Sequence, residues 1–188
     1  MDNRPLHFAG ISGSLRKGSY NTMLLKEALN LLPANTTMDL LPIEDIPLYN
    51  ADLDLPAATE RPQIVQGFMD AIAKADGIVI ASPEYNYSIP GGLKNAIDWA
   101  SRGGEQAPLY RKPVALVGAT PGMWGTVRMQ LAFQPVFLFL DMRPVLKPEI
   151  LIQEAHKKFD GNGALTDEKA KEFIRQKLAN LAKLILSS

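Results

Sequence analysis

Five short apolar runs, each bounded by turn residues, divide the chain: 6–12, 38–43, 77–82, 113–120 and 145–152. Val79, Ile80, Val114, Leu116 and Val117 lie in stretches apolar at nearly every position, as expected of strands covered on both faces. Between the runs, apolar residues recur at helical spacing. Leu25, Ala28, Leu29 and Leu32 form one stripe; Ile64, Phe68, Ala71 and Ile72 a second; Leu93, Ala96, Ile97 and Ala100 a third. A last stripe runs through Ala170, Phe173, Ile174, Leu178, Leu181 and Ile185, with Thr166 read as its N-cap and Asp167 and Glu168 in its first turn. Segment 127–140 is apolar enough for one buried or interface helix. Five strands alternating with five helices predict a parallel sheet of order 2-1-3-4-5 with helices on both faces. The proline-bearing loop 47–62 is too short to separate domains, so residues 1–188 are read as one domain.

Composition narrows the partners. Hydrophobic content of 46% and charged content of 21% are those of an ordinary globular protein, and 20 basic residues balance 20 acidic ones. That balance gives no electrostatic case for nucleic acid or an anionic membrane. With no cysteine, disulfides, thiolate nucleophiles, iron–sulfur clusters and cysteine-bound zinc are excluded. The first ten residues lack the apolar core of a signal peptide and no run reaches the length of a membrane span, so the expected location is cytoplasmic. His7 and His156 have no ligand-like spacing and are read as structural.

The chemistry concentrates in the loop GISGSLRKGSYN, residues 10–21, between the first strand and the first helix. In such a sheet the ligand lies beyond the carboxyl ends of the strands, at the switch point beside strand one. A helix N-terminus there offers unpaired amides and a positive dipole end, which suit a phosphate. Ser14 and Ser19 add hydroxyls, Arg16 a fork of donors and Asn21 an amide, while Gly13 and Gly18 let the backbone approach a ligand. Three rival motifs fail: the Walker A spacing is absent, Ser12 replaces the second glycine of GxGxxG, and Ser14 replaces the last glycine of GxSxG. The plain alternative is a surface turn with incidental hydroxyls.

A second cluster, Ser82-Pro83-Glu84-Tyr85-Asn86-Tyr87-Ser88-Ile89-Pro90-Gly91-Gly92, follows strand three on the same edge. Its prolines stiffen both sides, and its tyrosines offer flat surface with a polar tip. Thr120, in the loop after strand four, faces the same crevice from the far side. A phosphate loop beside a seat for a planar ring points to a mononucleotide.

GSLRKGSYN at 13–21 and SPEYNYSIPGGLKNAIDWASR at 82–102 closely resemble the NAD(P)H-dependent FMN reductase family, flavodoxin-like enzymes that include quinone, chromate and azo-dye reductases. The resemblance runs from strand one to the KPE segment at 147–149. It implies FMN, with phosphate held by Ser14, Arg16, Ser19 and Asn21 and by the intervening backbone of Leu15, Lys17, Gly18 and Tyr20. It also implies that Pro83, Glu84, Tyr85 and Asn86 border the isoalloxazine, with Thr120 opposite. NADPH or NADH would be the electron donor, quinones, azo dyes or chromate the acceptors, and a homodimer or homotetramer the assembly. Arg128 and Glu149 are candidates for charges between subunits. The cofactor carries the redox chemistry, so no general acid or base is assigned. The main departure from the family pattern is 120–124, where the resemblance implies that Trp124 would narrow the substrate entrance. Alternatives are a flavodoxin-like electron carrier without its own NAD(P)H activity, which the balanced charge disfavours, and a serine hydrolase using Ser12 or Ser14.

Overall fold

Runs of residues apolar at every position need cover on two sides, and the sheet supplies it. The computed structural model describes residues 4–187. Strand β1 (Leu6–Ser12) lies between β2 (Thr36–Leu41) and β3 (Gly77–Ala81), and β3 pairs with β4 (Pro113–Ala119), every pairing parallel. The order is β2-β1-β3-β4, and the position beyond β4 is shared by β5 (Arg143–Pro144) and β6 (Ile150–Ile152). The helices are α1 (Tyr20–Asn30), α2 (Gln63–Lys74), α3 (Gly91–Ala100), α4 (Val127–Ala132), α5 (Gln134–Phe139) and α6 (Glu168–Leu186).

Successive strand residues point to opposite faces, so each central strand feeds two cores. Val79, Ala115 and Val117 join Leu24, Leu25, Leu178 and Leu181 under α1 and α6. Ile78, Ile80, Val114 and Leu116 join Phe68, Ile72, Leu93, Trp99 and Phe133 on the other face. This is the expected flavodoxin-like α/β arrangement, with four local corrections.

The fifth strand is not continuous over 145–152. Val145 N still donates to Val114 O at 2.8 Å, and residues 146–149 then leave the ladder, where Pro148 has no N–H to contribute. Helix α6 partly replaces the missing partners: Lys177 Nζ donates to the Val145 carbonyl at 2.5 Å and Asn180 Nδ2 to that of Lys147 at 3.0 Å. Burial pushes the Lys177 ammonium down to about 8. Segment 127–140 is two helices meeting at Phe133, because Pro135 near the start of α5 cannot donate a helical hydrogen bond. The N-cap of α6 is Asp167, whose carboxylate accepts from Ala170 N at 3.0 Å; the Thr166 hydroxyl donates instead to the Lys158 carbonyl. In the second stripe Ile64 is exposed and Val65 takes the buried position.

Candidate functional site

Three loops leave the carboxyl ends of the adjacent strands β1, β3 and β4, and the first residues of the loops after β1 and β3 are each tied to the neighbouring strand. Gly13 N donates to Ala81 O at 2.8 Å, and Ser82 N to Val117 O at 3.1 Å. Gly13 is required by proximity rather than by torsion. A Cβ there would lie 2.4 Å from Ser82 Oγ and 2.8 Å from Leu93 Cδ2, both on fully buried residues. The loops after β1 and β3 therefore touch at a point where no side chain fits.

Beyond Gly13 the chain turns its donors outward. Ser19 caps α1, its Oγ accepting from Asn21 N at 3.2 Å and Thr22 N at 3.4 Å. Ser14 Oγ accepts from Arg16 N at 3.4 Å, and Ser12 Oγ pairs with Thr22 Oγ1 at 2.8 Å. Among the described residues, the backbone N–H groups of Leu15, Lys17, Gly18 and Tyr20 have no hydrogen-bond partner. Arg16 and Lys17 are exposed beside them, with the Arg16 guanidinium 5.8 Å from the Tyr20 ring centroid. Free amides at a helix start, two hydroxyls and a guanidinium form a donor set fitted to a phosphate dianion.

The side chains of two expected site residues are engaged within the chain. Asn21 is 2% exposed, and its carboxamide clamps one peptide position of β4: Nδ2 donates to Ala119 O at 2.8 Å and Oδ1 accepts from Ala119 N at 2.9 Å. It orients the loop from beneath rather than reaching outward. Glu84 turns its carboxylate toward α4, accepting from Arg128 N at 2.8 Å, Met129 N at 3.2 Å and Arg128 Nη1 at 3.3 Å. A negative group on free N–H donors at a helix start is favourable, and this engagement leaves the rim the Glu84 backbone. Arg128 and Glu149, candidates for intersubunit charges, both have partners within the chain, the latter Lys147 at 3.1 Å.

The remaining rim residues lie in the loops after β3 and β4. Tyr85 and Ser88 exchange backbone hydrogen bonds of 3.2 and 2.9 Å around Asn86 and Tyr87, both left-handed with φ of 49° and 62°. Two positive-φ residues within a two-residue turn match type I′ geometry, where the second position ordinarily favours glycine. Pro83 is half-buried beneath them. Across the crevice Thr120 Oγ1 accepts from Gly122 N at 3.2 Å, and Thr120 O accepts from Ala155 N at 2.9 Å.

Two features escape sequence reasoning. The Arg128 guanidinium packs on both Tyr87 and Trp124, 4.1 and 4.8 Å from their ring centroids, and so joins the loop after β3 to the loop after β4. Thr126 is fully buried at φ 69°, a conformation unfavourable for a β-branched residue, and its Oγ1 is unpartnered among the described residues. No spacing rule links a tyrosine to an arginine 41 positions later, so the first was invisible.

A family model described as NADPH-dependent FMN reductase matches residues 6–157. An NAD(P)H-dependent FMN reductase of Pseudomonas aeruginosa is 49% identical over 175 residues, covering 92% of this chain and 91% of the relative. A quinone reductase of Escherichia coli K12 is 44% identical over 147 residues, covering 78% of this chain and 77% of that protein. Among solved structures, the flavoenzyme NAD(P)H:(acceptor) oxidoreductase FerB of Paracoccus denitrificans superposes with a TM-score of 0.85 at 34% identity, over 97% of this chain and 98% of its own. The donor loop, the rim and these likenesses agree: the chain belongs to the NADPH-dependent FMN reductase family.

Proposed function

We propose that residues 1–188 form one FMN-binding unit that passes two electrons from NADPH or NADH through FMN to quinones, with azo dyes and chromate as further acceptors. The observation that carries this is the row of unpartnered backbone donors at Leu15, Lys17, Gly18 and Tyr20, set beside a flat rim on the same sheet edge. Those amides, the Ser14 and Ser19 hydroxyls and the Arg16 guanidinium hold the phosphate. Asn21 acts indirectly, by tying the start of α1 to the end of β4. Pro83, Tyr85, Asn86 and the Glu84 backbone border the ring on one side and Thr120 on the other.

FMN, when bound, supplies the redox chemistry, taking a hydride equivalent from the nicotinamide and giving two electrons to an acceptor. The protein fixes the phosphate end, confines the ring between two stiff loops and leaves one face open to donor and acceptor in turn. No side chain is required as general acid or base. The relatives named as FMN and quinone reductases support this reading.

Helices α4 and α5 bear the exposed apolar residues Leu131, Leu138 and Phe139, with Leu146 exposed shortly after them in the chain. Such a patch ordinarily marks an association surface, and a homodimer or homotetramer would cover it. Among the described residues no helix is long and apolar enough to cross a membrane, and the cytoplasm is our proposed location.

The test is the spectrum of the purified protein followed by NADPH and NADH oxidation with a quinone. A yellow protein that releases FMN and turns over is the expected result. Bound FMN without turnover from either nicotinamide would overturn the enzyme reading in favour of an electron carrier. Light scattering showing a monomer at micromolar concentration would overturn the oligomer.

A further inference from the structure

The split of the fifth strand leaves a gap in the edge of the sheet. Val145 N donates to Val114 O, and pairing with β4 resumes only at Val117, opposite Ile150. Since Val114 bonds outward, the backbone of Leu116, two residues on, faces the same gap. The Val145 carbonyl, which a continued ladder would set against Leu116, is taken by Lys177 Nζ at 2.5 Å. Residues 146–149 run outside the ladder, and a cavity of about 280 Å³ lies between them and helices α4 and α5, reaching Lys177 of α6.

The walls of this cavity are mostly apolar, Leu116, Phe137 and Leu151 among them, and its one buried charge is Lys177, 2% exposed. An ammonium has three donors, and the Val145 carbonyl is the only acceptor of this one among the described residues. The charged groups facing it, Lys147 and Glu149, belong to the displaced segment and pair with each other at 3.1 Å. Strand β4 and helices α4 and α5 present no titratable side chain to the cavity. Burial without a counter-ion is what brings the Lys177 ammonium down to about 8. An apolar residue of similar length would pack there at lower cost, so the charge is not explained by stability. A perturbed charge at the inner end of an apolar cavity is the usual form of a small-molecule site.

We infer that this cavity is a second binding site and that its ligand is a small organic monocarboxylate. The carboxylate accepts from the remaining N–H donors of Lys177 and supplies the missing negative charge, while a compact apolar body lies against Leu116, Phe137 and Leu151. A monoanion matches the single uncompensated cation. A phosphate dianion would bring a second charge without a partner and nothing to cover the apolar walls. None of the lining residues belongs to the donor loop or the rim, so the inference does not rest on the FMN-reductase reading. Leu131 and Leu146, exposed at the mouth, are shared with the proposed association patch, and the site is therefore tested in the assembled protein.

The experiment titrates the full chain loaded with FMN with sodium benzoate and with neutral benzamide, read by calorimetry. At pH 7 benzoate should bind at least about tenfold more tightly, the scale of one charged hydrogen bond. Above about pH 8, where Lys177 gives up its proton, benzoate affinity should fall toward about tenfold per pH unit while benzamide holds steady. Lys177→Met should bring the two probes within about threefold of each other. Gln134→Trp enlarges an exposed lining residue, leaves Lys177 in place and should weaken benzoate at least about tenfold; it decides the matter if Lys177→Met folds poorly. The flavin absorption spectrum is followed in the same titration and should not move. Equal binding of the two probes, a benzoate affinity that ignores pH or is unchanged in both variants, or a flavin spectrum that shifts in step with benzoate binding would overturn the inference. If the protein releases no FMN or oxidises no nicotinamide while the Lys177-dependent preference for benzoate persists, the redox reading fails and the carboxylate site stands. If turnover is normal and benzoate does not bind, the carboxylate site fails and the redox reading stands.

Discussion

The loop after β1 and the rim made by the loops after β3 and β4 occupy one sheet edge, yet they are built on opposite principles. The first is a backbone device. Its donors are main-chain N–H groups, its side chains are mostly small, and its shape is set by Gly13 against Ser82 and by a serine cap on α1. The rim is a side-chain device: an arginine packed on two rings, a carboxylate on a helix start, and left-handed residues in the turn. A backbone cradle can hold a constant group such as phosphate whatever the acceptor. The shape of the rim is instead set by side chains that cross from one loop to another.

The contrast is broken most severely by attacking the clamp beneath the cradle. Asn21→Leu preserves volume and strands the N–H and C=O of Ala119 in a buried position. Each unpaired group costs roughly 1–3 kcal/mol, so stability should fall by about 3 kcal/mol in a denaturant titration. FMN affinity of the folded fraction should change much less. If instead FMN affinity collapses and the denaturation midpoint stays put, Asn21 is a ligand group and the cradle is not a backbone device.

Gly13→Ala comes next and tests the cradle directly. The new Cβ has no room against Ser82 and Leu93, so the loop must move and FMN affinity should drop at least about tenfold, roughly 1.4 kcal/mol. Gly91→Ala is the control, because a Cβ there meets nothing within 4 Å. Flavin fluorescence titration of both variants checks the pair; matching affinities would show that Gly13 does not shape the site.

On the rim, Glu84→Gln keeps the shape of the carboxylate and removes its charge from the α4 N-terminus. The loss should be about 1 kcal/mol, seen as a lowered melting temperature, with FMN affinity nearly unchanged. A large fall in FMN affinity would mean that the Glu84 side chain, rather than its backbone, faces the ring.

These differences explain what could be read before the structure. The sheet order was legible because buried parallel strands are apolar at every position, and the donor loop because glycines and serines at a β–α junction have a local meaning. The split of the fifth strand was not, since it depends on Lys177 and Asn180 of α6 reaching the carbonyls of Val145 and Lys147 from far along the chain. The intrachain partners of the Asn21 and Glu84 side chains were not legible for the same reason. Their residue types suit a ligand, but Ala119 and the start of α4 lie 98 and 44 positions away. The stack of Tyr87, Arg128 and Trp124 is likewise a product of folding, with no periodicity to announce it.

The smallest effect is the sharpest on the comparison, because relief of strain and loss of a ring contact should oppose each other. Tyr87→Gly places glycine after Asn86 at the turn position that favours it and relieves the left-handed strain, worth about 1–2 kcal/mol. It also removes one face of the stack on Arg128, a loss of about 0.5–1 kcal/mol at an exposed site. The net expectation is a gain of a few tenths to about 1 kcal/mol in stability, read in a denaturant titration. A cradle residue offers no such trade, since its geometry is the binding function. If Tyr87→Gly is less stable than wild type, the left-handed turn is not where the strain lies, and the rim owes its shape to the stack itself.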